Sequence, residues 1–313
     1  MHATLKQSSS RVLMIRPIGF KANVETMEDN YFQHPNDVED DEIETRALHE
    51  FEQVTNQLND IGVEVFILDP LDPKRTPDAV FPNNWFSMHH NGTLFLYPMA
   101  NASRRAEVRP DFKSELERRD ISVKQIIDLT THAEKGTYLE GTGSLVLDHI
   151  NRFAFLALSN RSDATLAQEW CTMMNYQLIP FNTVLNPNGI AVYHTNVVMA
   201  IFSECAIVCK DIIEPMDQSK VLCHLQSGGR KVIEIDLHQM SCFAGNMIEL
   251  QNQAQKRFFI MSQTAHQALS VSQIMALENF GILIISNIQA IERYGGGGVR
   301  CMIAELFDDN NSK

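Results

Sequence analysis

Three groups in this 313-residue chain are of the types that covalent catalysis uses: a thiol behind a run of glycines, a histidine and a glutamate. The thiol closes the stretch Gly295-Gly-Gly-Gly-Val-Arg-Cys301-Met302. Four consecutive glycines remove every Cβ ahead of it, so a ligand or another strand can come close to the backbone there. A cysteine nucleophile needs a base within hydrogen-bond reach and a third group that orients the base. His194, in Val192-Tyr-His-Thr-Asn196, and Glu140, in Leu139-Glu-Gly-Thr-Gly143, are of the required types. Singly, each has an ordinary reading: Cys301 as a small buried hydrophobe, His194 as a satisfied core histidine, Glu140 as an exposed turn carboxylate. The glycines do not read as a phosphate loop, because no Lys-Ser/Thr follows and no dinucleotide fingerprint precedes a helix.

What joins the three groups is a repeat. Apolar residues at helical spacing (Leu48, Phe51, Val54, Leu58) run up to Gly62, and Val63 to Leu68 then alternates like a strand. A hairpin follows, from Asp78 to Ser87, through the turn signal Asn91-Gly92, to Thr93–Tyr97. The order recurs: strands over 139–159, helix over 163–174, strand over 176–181, hairpin over 190–210, strand over 232–237, hairpin over 245–262, helix over 271–279, strand over 282–286 and a last stretch over 299–307. Hairpins begin near Phe81, Leu139, Val192, Phe243 and Val299, a period of roughly 50–60 residues that suits propellers and other repeat folds. The fold class expected is α/β, with five pseudo-symmetric units in a propeller that brings equivalent strand ends to one centre. An open doubly wound sheet is the competitor. One catalytic domain is expected over 12–308, with loose ends at 1–11 and 309–313.

Composition narrows the class. Hydrophobic residues make up 44% and charged residues 21%, as in ordinary globular proteins. With 26 Lys+Arg against 39 Asp+Glu the net charge is −13, which repels a phosphate backbone, so no nucleic-acid partner is expected. Cys171, Cys205, Cys209, Cys223, Cys242 and Cys301 lack the paired spacing of zinc ribbons, and reduced thiols are expected. The first ten residues carry no apolar signal region and no apolar window is long enough to span a bilayer, so the reading is a cytoplasmic protein with no membrane partner. Dimerisation is left open.

Taken in order, Met14-Ile-Arg-Pro17, Phe81-Pro-Asn-Asn-Trp-Phe-Ser87, Ser103-Arg-Arg-Ala-Glu-Val108, Leu139-Glu-Gly-Thr-Gly-Ser144, Leu158-Ser-Asn-Arg161, Tyr193-His-Thr-Asn196 and the glycine run before Cys301 resemble the guanidino-modifying, or amidinotransferase, superfamily. Arginine deiminase and dimethylarginine dimethylaminohydrolase belong to it, and the group named for citrulline utilisation is the most similar. The resemblance implies a five-unit α/β propeller (the pentein fold), needing no metal or organic cofactor. It implies Cys301 as nucleophile, His194 as general acid and base, and Glu140 as the carboxylate that orients it. It further implies that Arg104 and Arg161 hold a substrate carboxylate, a pairing that planar guanidinium groups suit, and that Asp78 contacts the polar end of the substrate.

The chain departs from the arginine-processing members at Asn84, where they carry a carboxylate, and at Asn196, where arginine deiminases carry a second one. A desolvated guanidinium needs negative charge beside it, which amides do not supply. A neutral ureido group offers a carbonyl acceptor and N–H donors, the complement of an amide side chain. With Asn83, Asn84 and Asn196 as substrate contacts, the reading is a cysteine-dependent hydrolase of a small ureido amino acid, citrulline. The alternatives are an arginine or methylarginine deiminase, an amidinotransferase, or a propeller that binds without catalysis.

Overall fold

The computed structural model describes residues 5–28, 30–185, 189 and 191–307. Its strands form five three-stranded sheets of one design, in which a middle strand pairs antiparallel with one neighbour and parallel with the other. The first contains β1 (Arg11–Ile15) and its parallel partner β2 (Glu64–Leu68). The second is β3 (Phe86–Met88), β4 (Thr93–Leu96) and β5 (Gln125–Asp128); the third is β6 (Leu145–Asp148), β7 (Phe153–Ala157) and β8 (Gln177–Phe181). The fourth is β9 (Met199–Ile201), β10 (Cys205–Val208) and β11 (Lys231–Glu234); the fifth is β12 (Ile248–Gln251), β13 (Arg257–Ser262) and β14 (Ile282–Ser286). The last strand, β15 (Ala304–Glu305), returns to pair antiparallel with β1 and completes the first sheet.

Sequence explains the layering. The first and middle strands are short, mostly apolar and mostly buried runs, Cys205–Val208 wholly so, as suits strands covered on both faces. The third strands are half exposed and carry polar residues, as in β2 and β11. Parallel pairing requires a crossover, which helices supply. Helix Asp40–Asp60 buries Ile43, Ala47, Phe51, Val54 and Leu58 along one stripe and carries Asp40, Asp41 and Glu42 in its first turn, where the helix dipole favours negative charge. Helix Ala164–Met174 is capped by Asp163, whose side chain accepts from the Leu166 N–H at 2.8 Å.

Several expectations are corrected. The hairpin starts read as strand are helical turns at Pro82–Asn84, Gly141–Ser144 and Thr195–Val198, and over 299–307 only Ala304–Glu305 pairs as strand. Helix Pro215–Leu225 escaped the periodicity because only Val221 and Leu225 of it are buried. The N-terminal stretch expected to be loose is packed from Gln7 to Ser10, all buried. Gln7 Nε2 donates to the Leu147 and Ile201 carbonyls, Ser8 Oγ to Glu249, and Ser9 Oγ to the Leu306 carbonyl, while the Lys6 carbonyl meets His90 Nε2 at 2.9 Å. Those partners come from all five sheets or the turns beside them, so this strap ties the sheets together. Residues 1–4 and 309–313 lie outside the described residues. All six cysteines are free. Among the described residues no helix is long and apolar enough to cross a membrane.

Beneath the strap lies a cluster of histidines. The His90 and His149 rings sit 5.6 Å apart, and His89 and His149 6.4 Å apart. Burial, then the neighbouring His90, brings His89 down to about 3, and burial holds His149 well below the usual imidazole range. Both are therefore neutral in the folded protein and must be forced to charge there. With unfolded imidazoles titrating near ~6.5, this stability is complete above that pH and is lost as pH falls below it. At pH 5 His89 should cost on the order of 2 kcal/mol, and His149 acts in the same direction. Buried carboxyls such as Glu107 titrate over the same range with the opposite sign. The effect is therefore read as the difference in chemical denaturation between pH 8 and pH 5 for the wild type and a variant carrying His89→Gln and His149→Gln, and identical profiles would show that these rings are not held neutral.

Candidate active site

Each hairpin start bends the chain just before its first strand, and the residues at the bend turn inward. Glu140 precedes the turn Gly141–Ser144, His194 precedes Thr195–Val198, and Asn83 and Asn84 lie within Pro82–Asn84. Cys301 sits in the turn before β15, its N–H donating to the Gly298 carbonyl at 3.0 Å. All are buried. Cys301 and His194 line one narrow pocket with Asp78, Asn84, Arg104 and Arg161. Residues more than 200 positions apart thus meet because equivalent bends of successive units face the same space.

The imidazole is held from behind. His194 Nε2 lies 2.8 Å from Glu140 Oε2, and the other carboxylate oxygen accepts from the Ala100 N–H at 2.9 Å. Burial raises the Glu140 carboxyl, but Arg161, whose Nη1 stands 3.7 Å away, the His194 hydrogen bond and Arg104 overcome it and leave it at about 2. An ionised carboxylate only accepts, so the Nε2 of His194 carries the proton and the opposite ring nitrogen, Nδ1, is the basic one. Burial pulls the His194 pKa below the ordinary imidazole value despite Glu140. Burial likewise raises the Cys301 thiol, while Asn246, Arg300 and Asn196 pull it back in part. The resting pair is a neutral thiol and a neutral imidazole.

Around this pair the charges interlock. Arg104 reaches Glu107 through Nε at 2.7 Å and Nη2 at 3.0 Å, the Phe81 carbonyl at 2.9 Å, and Asn84 Oδ1 through Nη1 at 3.1 Å. Arg161 lies over the Tyr193 ring at 5.0 Å and donates to the Thr26 carbonyl. Asp78 Oδ2 accepts from Asn23 at 2.7 Å, while its Oδ1 is buried without a partner. Burial raises the Asp78 carboxyl, and Arg104 opposes that shift.

The three asparagines have different surroundings. Asn84 lines the pocket, and its Nδ2 is buried without a partner. Asn83 stands outside the lining and donates to Thr142 Oγ1 at 3.2 Å. Asn196 also stands outside it and directs Nδ2 to Cys301 Sγ at 3.5 Å. Sequence reasoning missed Glu107, although it lies in the quoted Ser103–Val108 stretch, and missed Asn246, whose Nδ2 is 3.4 Å from the sulfur. The repeat itself carried the signal for Asn246, since a hairpin start was placed near Phe243. Among the described residues no group of three or more His, Cys, Asp or Glu is arranged to hold a metal ion.

The sequence model of a family described as N,N dimethylarginine dimethylhydrolase, eukaryotic, matches residues 16–308. Comparison with curated proteins finds no match. Among solved structures, the chain is similar to ArgZ, an arginine dihydrolase from the ornithine-ammonia cycle in cyanobacteria, with a TM-score of 0.74 at 16% identity over 95% of this chain. It spans only 40% of that protein's length. The N-terminal domain of ArgZ alone, as a mutant bound to substrate, gives 0.74 at 15% identity and is covered to 98%, with 95% of this chain aligned. A dimethylarginine dimethylaminohydrolase in an adduct with S-methyl-L-thiocitrulline gives 0.65 at 16% identity, covering 94% of this chain and 98% of that one. At such identities the likeness is one of fold.

Gly143 supplies a test of the packing. A Cβ built there would meet His194 Nδ1 at 2.7 Å and come closer still to Asn84 Nδ2. Gly143→Ala should therefore push both side chains outward and destabilise by about 1–3 kcal/mol, as overpacking does. A crystal structure with the ring unmoved and stability unchanged would contradict this packing.

Proposed function

Since the chain belongs to the N,N dimethylarginine dimethylhydrolase family, within the guanidino-modifying superfamily of hydrolases, we propose that it cleaves the C–N bonds of citrulline through a thio-intermediate on Cys301. The observation that carries the choice of substrate is the orientation of Asn84. Arg104 can only donate, so the oxygen of Asn84 must face it, at 3.1 Å, and the NH₂ is the end left without a partner. A donor there complements the carbonyl of a ureido group. A guanidinium, which has only N–H groups to present, would leave donor facing donor and its own charge uncompensated.

In this reading the Cys301 thiol passes its proton to Nδ1 of His194, and the sulfur attacks the ureido carbon as the C–S bond forms. The imidazolium, steadied by ionised Glu140, returns the proton to the terminal nitrogen, which leaves as ammonia. A water then loses its proton to His194 and attacks the thiocarbamoyl carbon; the C–S bond breaks and the thiol is restored. The carbamate released loses carbon dioxide and gives ornithine. Arg161 and Arg104 are assigned to the substrate carboxylate, and the unpartnered oxygen of Asp78 to its ammonium group, a role its burial beside both arginines supports. Asn83 and Asn196 are assigned to the walls on either side of the reacting carbon. The five sheets are proposed to stand radially as one propeller domain around this site.

A second reading is favoured by the similarity to an arginine dihydrolase: arginine enters and both hydrolyses occur in succession, the second being the step above. An ammonia-release assay with citrulline, arginine and dimethylarginine side by side separates the two, and equal or faster turnover of arginine would overturn the preference for citrulline. Asn84→Asp replaces the donor by an acceptor and should move the citrulline-to-arginine ratio of kcat/KM toward arginine by about 10–100-fold. Cys301→Ser and His194→Ala should each abolish turnover without lowering the melting temperature by more than a few degrees; near-normal activity in either removes the mechanism.

The pH profile follows from the resting protonation. Activity needs neutral His194 and a proton still on the thiol. The acid limb should therefore fall below the ordinary imidazole value of ~6.5, and the alkaline limb above the ordinary thiol value of ~8.5. The sign is that protonation of His194 abolishes the base, and loss of the thiol proton removes the acid needed by the leaving nitrogen. A kcat/KM maximum confined to below pH 6 would exclude this assignment.

A further inference from the structure

We infer that Asn246 is a further catalytic residue, which together with Asn196 forms a two-amide cradle that receives the negative charge of the Cys301 sulfur. The inference rests on the proposed role of Cys301. Asn246 lies at the fourth hairpin start, just before β12, the position equivalent to those that supply Asn84, Glu140 and His194. Its amide orientation is fixed by chemistry at both ends. Oδ1 accepts the Arg300 backbone N–H at 3.1 Å, a group that can only donate, and Nδ2 donates to the Asn196 carbonyl at 3.0 Å, a group that can only accept. The second proton of Nδ2 is left for Sγ, 3.4 Å away, and Asn196 Nδ2 approaches the same sulfur at 3.5 Å.

The chain is built around this contact. Phe243 takes a left-handed backbone conformation, φ 62°, to turn the loop that delivers Asn246, whose N–H donates to the Phe243 carbonyl at 2.8 Å. The fourth glycine of the run before the nucleophile, Gly298, is where Asn246 passes: a Cβ there would lie 2.6 Å from Oδ1. The glycine run thus admits the amide as well as clearing space for a ligand.

Two amide donors aimed at a buried sulfur do for a thiolate what paired N–H groups do for an oxyanion. They matter most here because the thiol is buried and its proton must leave before attack. Hydrogen bonds to the charged form lower the cost of that step without adding a permanent charge to the site. The other charged and titratable groups facing the thiol are His194, Arg104, Arg161 and Asp78 across the pocket and Arg300 beside it in the chain.

The test reads the thiol with no substrate present. The rate of Cys301 alkylation by iodoacetamide is followed from pH 6 to 11 by peptide mass spectrometry, which separates it from exposed Cys223 and half-exposed Cys242. Asn246→Ala should raise the apparent thiol pKa by about one unit and lower kcat about 10–100-fold with little change in KM. Asn246→Asp keeps the shape and the Arg300 contact but removes the N–H and adds charge, so it should raise the thiol pKa further; it decides the matter if the alanine variant does not fold. Unchanged alkylation profiles in folded variants overturn the cradle even if citrulline turnover stands. Wild-type enzyme that releases no ammonia from citrulline, arginine or dimethylarginine overturns the proposed function, while the alkylation profiles still decide the cradle.

Discussion

A charged carboxylate with no exposure to water is the constraint around which the site is organised. Glu140 is fully buried, and every neighbour that keeps it ionised also fixes something else. Its bond to His194 chooses the ring's tautomer, its bond from the Ala100 N–H ties it to the connection between β4 and β5 of the second sheet, and Arg161 answers its charge. Removing one partner from such a set leaves the others uncompensated, which is costlier than losing an exposed ion pair. Arg104 and Glu107 form a second buried contact in which burial prevails instead, lifting Glu107 to about 8 against the pull of Arg104. The arginines are thereby held in place before any substrate arrives, and little ordering is left for binding to supply.

Beside this charged frame the groups nearest the sulfur are neutral amides. Asn84, Asn196 and Asn246 can each present a donor or an acceptor, so their usefulness depends on what orients them. In Asn84 the orienting group is an arginine, and in Asn246 it is a backbone N–H and a backbone carbonyl. A carboxylate at either position would need no such orientation but would place a permanent charge against the thiol. The amide-rich wall adds no charge of its own, so it can donate to the sulfur without adding a carboxylate's repulsion.

Much of this was legible in the sequence because the fold repeats. The hairpin spacing located all five units, and the helices at Asp40–Asp60 and Ala164–Met174 carried apolar stripes and caps close to their ends. What escaped had a physical reason. Gln125–Asp128 is a mostly exposed strand with polar ends, which lacks an alternating face. The bends before β3, β6 and β9 contain residues such as Val197 and Val198 that favour strands by propensity, and tertiary packing curls them into helical turns instead. Gln7 to Ser10 are polar and so looked solvated; they are buried because their side chains meet carbonyls, a carboxylate and a backbone N–H from four of the sheets, partners that local pattern cannot reveal. Glu107 is identified only by what it touches, whereas Asn246 stood beside a hairpin start that the repeat had already located.

Pairing of β15 with β1 joins Val12 to Glu305, and Cys301, the proposed nucleophile, is held in the turn immediately before that last strand. During synthesis the acid, the imidazole and the asparagines therefore emerge well before the sulfur does. A ribosome-bound fragment can assemble four sheets and still lack its reactive group. Closing the first sheet also spans almost the whole chain, the kind of distant contact that folding makes slowly. With Cys301 as the proposed nucleophile, competence for chemistry is thus acquired only once the last strand is in place.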